Sequence, residues 1–132
     1  VILENEHRQN VRARGTSVHG LPALRKDPGD KWLQIGMIRM NHKGAHMDGD
    51  TASWHAPGNV PEVVQHVHEA RSAGKGVISM KLIGEGSFAN RDDRQASMRF
   101  AFRNAGVDCV TVGYKSRAEI DEAIENVDLA FA

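Results

Sequence analysis

Four short runs of aliphatic and β-branched residues alternate along this chain with four helix signatures, and that alternation leaves few folds open. The first run, Val11 to Val18, closes on Gly15-Thr16-Ser17-Val18-His19-Gly20 with Pro22 just beyond, which predicts a buried strand running into a loop. Pro22 to Lys26 predicts a short helix with proline in its first turn, and Asp27-Pro28-Gly29-Asp30 a turn. Trp32 to Met40 predicts a second strand whose near-continuous apolar character suits a parallel sheet covered on both faces. Asn41 to Asn59 shows no period and holds Gly44, Gly49, Pro57 and Gly58, so it reads as a long loop. Val60, Val63, Val64, Val67 and Ala70 then lie on one face of a helix over Pro61 to Ala73, with Gly74 as its cap. Gly76 to Ile83 is the third strand, followed by Gly84-Glu85-Gly86-Ser87. Asp92 to Ala105 predicts a helix with Met98, Ala101, Phe102 and Ala105 on its apolar side and Gly106 closing it. Asp108 to Val112 is the fourth strand. Ser116-Arg117-Ala118-Glu119 is a capping box, and Ile120, Ala123, Ile124, Val127 and Phe131 form the apolar stripe of the last helix.

A β-α order repeated in this way implies right-handed crossovers and a parallel sheet. Periodicity alone leaves two architectures, a small open α/β sheet or half of a barrel. The 132 residues suffice for one modest domain. A formal net charge of zero argues against a nucleic-acid partner, which calls for a clear basic excess. No apolar run approaches a membrane span, so a soluble protein is expected; the compartment stays open, with the cytoplasm the leading expectation. The single cysteine, Cys109, excludes an internal disulfide; inside an apolar strand it reads as an inert buried thiol. The chain opens on Val1 without a recognisable leader, and an N-terminal segment is expected to precede it.

In either architecture ligands bind beyond the C-terminal ends of the strands. Those ends carry Ser17 and His19, then Arg39, Asn41 and His42, then Lys81 to Ser87, then Gly113 to Arg117, and all are polar or glycine-rich. At the third end, Gly84 and Gly86 permit close approach of backbone N–H groups to an anion and Lys81 supplies charge; a plain glycine-rich turn is the alternative. At the fourth, Ser116 opens a helix whose N-terminus favours an anion, with Gly113 before it and Lys115 and Arg117 flanking. The alternative there is simple capping by Ser116 and Glu119. His19 reads equally as packed or substrate-facing. His42, His46, Asp48 and Asp50 hold metal-ligand chemistry but no firm ligand spacing, and His55 adds none. His66 and His68 point to different sides of a helix. No protein metal site is expected.

At these same strand ends the sequence resembles the aldo/keto reductases, in particular a bacterial branch of predicted aldo/keto-type oxidoreductases. Arg14-Gly15-Thr16-Ser17-Val18-His19-Gly20-Leu21-Pro22-Ala23-Leu24 resembles the family's fifth-strand Gly-x-Ser segment. Arg39-Met40-Asn41-His42, with Gly44-Ala45 and Met47-Asp48-Gly49, resembles the end of the sixth strand in that branch. Gly74 to Lys81 through Gly86 resembles the seventh, and Val110-Thr111-Val112-Gly113-Tyr114-Lys115-Ser116 the eighth. The similarity runs the length of residues 1–132 and implies one partial domain: the C-terminal half, strands five to eight, of a TIM (β/α)8 barrel.

The resemblance implies an oxidoreductase holding NADP(H) or NAD(H) and acting on a small carbonyl or alcohol. It sets Ser17 against the nicotinamide carboxamide. Lys81 and Gly86 fall in the pyrophosphate segment with Gly84. Ser116, Arg117, Glu119 and Glu122 fall in the adenosine-phosphate region, with Gly113 and Lys115 leading into it. His19, Arg39, Asn41 and His42 are left on the substrate side. The sequence departs from the family pattern at Val18, where an Asn usually follows the Ser, at Met37, where a Gln is usual, and at Ala123, where an Asn is frequent and Asn126 follows a turn later. The family's Asp, Tyr, Lys and His tetrad comes from the first four strands. No catalytic residue is therefore assigned here; Tyr114, the single tyrosine, sits on the eighth strand away from that role. A half-barrel also leaves two strand edges unpaired, which predicts either a homodimer through those edges that completes a pseudo-barrel or an aggregation-prone, partly ordered species. Two other readings remain: a non-catalytic nucleotide- or phosphate-binding half-barrel, and a piece of another phosphate-binding TIM-barrel enzyme.

Overall fold

Four strands, β1 (Gly15–Val18), β2 (Ile35–Arg39), β3 (Gly76–Met80) and β4 (Cys109–Val110), pair in chain order as one parallel sheet. The computed structural model describes residues 11–47, 49–50 and 57–132. Ser17 lies opposite Met37, Met37 opposite Ile78, and Ile78 opposite Cys109. The strands are shorter than the apolar runs that contain them. Before β2 the chain is already tethered, since the Gln34 and Ile35 N–H groups both donate to the Arg14 carbonyl at 2.8 and 3.0 Å.

The helices are α1 (Leu21–Leu24), α2 (Val60–Ser72), α3 (Arg91–Arg99) and α4 (Arg117–Phe131). Each long one starts on a side-chain cap. Asn59 Oδ1 accepts from the Glu62 N–H, Asn90 Oδ1 from Asp93, and Ser116 Oγ from Glu119. The Glu119 carboxylate in turn accepts from the Lys115 N–H at 2.7 Å, one residue before the Ser116 N–H that a capping box uses. α3 continues as a π-turn, Phe100–Ala105, before Gly106 ends it in the left-handed conformation that glycine adopts without steric cost. The result is a mixed α/β fold of alternating strands and helices around a four-stranded parallel sheet, compatible with half of a barrel.

The two faces of the sheet differ. Val18, Ile38, Val77 and Ser79 point under the helices and are buried, in one cluster with Leu21, Leu24, Val63, Val67, Met98 and Ala101 for the apolar ones. Along the opposite face Ile35, Met37 and Ile78 are only half-buried, while Ser17 and Cys109 are exposed. Sequential strand order with same-handed crossovers accounts for this, because it sends every helix to one side. Two expectations change as a result. Coverage on both faces does not hold among the described residues, and Cys109 is exposed rather than buried because its register position puts it on the open face. The α4 stripe is also split: Ile120, Ile124 and Phe131 are 44%, 57% and 56% exposed, since α4 is the last helix and packs on α3 from one side.

At the N-terminal end of the sheet, Asp27 and Lys75 are buried together. The Lys75 ammonium donates to the Asp27 carbonyl and stands 3.6 Å from its carboxylate, which has no hydrogen bond of its own. The pair ties the β1–β2 connection to the start of β3. Asp27→Ala is expected to cost about 3–5 kcal/mol by leaving a buried charge unpaired, whereas Asp27→Leu with Lys75→Met recovers most of that. Urea denaturation of the three proteins measures it.

Candidate ligand site at the strand ends

A cavity of about 790 Å³ opens beyond the C-terminal ends of β3 and β4, a size suited to a drug-sized ligand or cofactor portion. Met80 to Ile83, Glu85 and Gly86 form one wall, Thr111 to Lys115 another, and Glu119, Glu122, Ala123 and Asn126 of α4 a third. Six residues expected from the sequence, Lys81, Gly86, Gly113, Lys115, Glu119 and Glu122, thus meet around one space. The others stand apart from its lining. Gly84 is buried beneath the loop, Ser116 is occupied as a helix cap, and Arg117 is 92% exposed beside Asp121.

The glycine-rich loop is curled by positive φ at Lys81, Gly84, Glu85 and Gly86. Glycine is required at 84, where a Cβ would fall 2.2 Å from Ser87 Oγ. The loop spends its donors on itself: the Gly84, Gly86 and Ser87 N–H groups go to the carbonyls of Lys81, Ile83 and Gly84. Attraction for an anion therefore comes from side chains rather than from these amides. The Lys81 ammonium pairs with Glu85. Arg94, which sequence reasoning passed over, grips Glu122 through two hydrogen bonds at 2.7 and 2.8 Å and holds that carboxyl below its usual range. The two lie 28 positions apart on different helices, so no local spacing betrays them. Lys115 is the cavity cation without an ion-pair partner among the described residues. Burial pushes the Tyr114 phenol above its ordinary pKa, opposite to what a tyrosine poised to release a proton needs.

A second group lies on the open face at the ends of β1 and β2. Arg39 Nη2 donates to His19 Nδ1 at 2.7 Å, and His19 Nε2 stands 3.0 Å from Ser17 Oγ. Ser17 Oγ is in turn 3.9 Å from Met80 Sδ, and Met80 lines the cavity. Asn41 does not join them. It is fully buried, its Nδ2 donates to the Ala45 and Lys81 carbonyls, and its Oδ1 accepts from the Lys43 and Ala45 N–H groups. Its amide knits the loop after β2 to the end of β3, which removes it from the substrate side.

His42 also faces protein. Its ring meets Phe88 edge-on at 5.3 Å and lies 3.7 Å from Asp93, which Lys43 holds at 2.6 Å. His66 pairs with Glu69 at 2.7 Å, and the His68 Nε2–H donates to the Asn104 carbonyl. Asp48 and His55 lie outside the described residues. Among the described residues no group of three or more metal-ligand side chains gathers, and no helix is long and apolar enough to cross a membrane. No protein-family model matches the chain, and comparison with curated proteins and with solved structures finds no match either.

Burial is the main cause holding His42 below its ordinary value, aided by the Lys43 charge and opposed by Asp93. The folded state then favours the neutral ring, so the unfolded chain binds more protons and stability falls as pH drops through about 6.5. Asp93, held below its usual range chiefly by Lys43, contributes stability above the ordinary carboxylate range that is lost at still lower pH. Thermal melts between pH 7 and about 5 are expected to show this decline, and His42→Gln to flatten it.

Proposed function

We propose that this chain is the cofactor-holding half of an NAD(P)H-dependent oxidoreductase of the aldo/keto reductase type. The observation that carries the reading is the cavity beyond β3 and β4, where the glycine-rich loop, the uncommitted Lys115 cation and the start of α4 converge. Ligand at the C-terminal ends of parallel strands is the rule for α/β sheets and barrels alike. A phosphate beside Lys115 and the first turn of α4 gains both a charge and the helix N-terminus. Ser17, on the open face and linked to the cavity through Met80, suits the nicotinamide end. A small carbonyl or alcohol substrate would lie over that face, near His19 and Arg39. Among the described residues no activated proton donor stands there, so cofactor binding rather than turnover is the expected activity.

The reading also includes closure of a barrel by a second set of four βα units. The open face, the outer edges of β1 and β4, and the exposed Ile120, Ile124 and Phe131 support it. A two-fold axis along the strands keeps two copies parallel and sets β4 of one beside β1 of the other, which gives the eight strands of a (β/α)8 ring.

Isothermal titration of the purified chain with NADP+ and with 2′,5′-ADP tests the cofactor reading. Both are expected to bind, and Lys115→Ala to weaken both about fivefold, the scale of one exposed charge contact of ~1 kcal/mol. Absence of binding by either ligand rejects the proposal. Sedimentation of the same chain is expected to give a dimer or larger species, and a monodisperse monomer rejects the closure by a second copy.

A further inference from the structure

We propose that Arg39 and His19 are positioning residues that turn the Ser17 hydroxyl into an outward-facing donor for a carbonyl-type acceptor. The inference rests on the cofactor reading above only for the identity of that acceptor, a carboxamide.

The argument starts from which groups can donate. A guanidinium has five N–H donors and no acceptor, so at 2.7 Å from Arg39 Nη2 the His19 Nδ1 must be the accepting nitrogen. The ring therefore carries its proton on Nε2, and it is that N–H which reaches Ser17 Oγ at 3.0 Å. With a lone pair of Oγ taken by His19, the hydroxyl proton is left to donate elsewhere. Its present partner is Met80 Sδ at 3.9 Å, and a thioether is a weak acceptor. An amide or ketone oxygen arriving on the open face outcompetes it.

Placement on the sheet makes this usable. His19 follows β1 and Arg39 ends β2, and both belong to the row just above Ser17 and Met37 on the same face. Ser17 and His19 are exposed, while Arg39 is 8% exposed, so the part that fixes the tautomer is shielded and the part that meets ligand is not. The chain of donors runs one way, from Arg39 to His19 to Ser17. It excludes the opposite arrangement, in which His19 takes the Ser17 proton as a general base, because that requires a bare Nε2.

Ring ¹⁵N shifts of His19 in the full 132-residue chain read the tautomer directly. The proposal expects Nε2 protonated and Nδ1 bare, with Arg39→Met releasing the ring to a mixture; a wild-type ring protonated on Nδ1 overturns it. The second readout is differential binding. Arg39→Met is expected to weaken NADP+ by fivefold or more and to leave 2′,5′-ADP, which has no carboxamide, unchanged. In the Ser17→Ala background the same substitution should have no further effect on NADP+. Equal losses for the two ligands, or full additivity with Ser17→Ala, overturn the positioning role while leaving the cofactor reading intact. If neither ligand binds, the cofactor reading fails instead, and titration with free nicotinamide decides the donor: perturbed Ser17 and His19 signals support it, unmoved signals overturn it. His19→Phe, which removes the relay but keeps Arg39, should reproduce the loss should Arg39→Met not fold.

Discussion

Parallel strands can be joined only by crossovers, and crossovers of one hand send their helices to one side whenever the strands follow each other in chain order. That geometric rule organises the whole molecule. It packs Val18, Ile38 and Val77 beneath the helices, and it leaves Ile35, Met37 and Ile78 facing away from them. The same rule gathers all four strand ends at one rim, where the polar residues lie. The buried Asp27–Lys75 pair sits at the other end of the sheet, where it fixes connections. A polar rim at one end and anchorage at the other follow from strand direction.

Much of this was legible in the sequence because it depends on local signals. Asn59, Pro61 and Gly74 bracket α2, and Ser116 with Glu119 opens α4, through bonds that span four residues or fewer. The β-branched residues of Val77-Ile78 and Cys109-Val110 locate strands for the same reason. What could not be read were relations between distant elements. Cys109 and Val110 are neighbours of similar strand character, and only the register against Ile78 and Ser79 decides that the cysteine faces outward. Arg94 and Glu122 look like ordinary solvated helix residues until α3 and α4 are laid side by side. Asn41 sat at a strand end with the right chemistry for a ligand, yet four hydrogen bonds to neighbouring backbone consume it.

The site divides its labour between committed and uncommitted polar groups. Glu122, Asn41 and Glu119 are held by Arg94, by loop backbone and by the Lys115 amide, and they give the cavity a fixed shape. Lys115 and the Ser17 hydroxyl keep capacity in hand, at opposite ends of a path that passes Met80. A polar group whose capacity is spent shapes a site, and one with capacity left recognises a ligand.

The strand order also bears on how the chain is made. Each strand pairs with the one synthesised before it, so β2 can dock on β1, β3 on β2 and β4 on β3 without waiting for any later segment. The sheet grows by addition at one edge, and every intermediate offers the next strand a template that fixes its direction. Chains generally fold domain by domain as they leave the ribosome, beginning from the N-terminus. Among the described strands β4, two residues long, lies at one side of the ladder, and a strand so short offers little edge to a wrong partner.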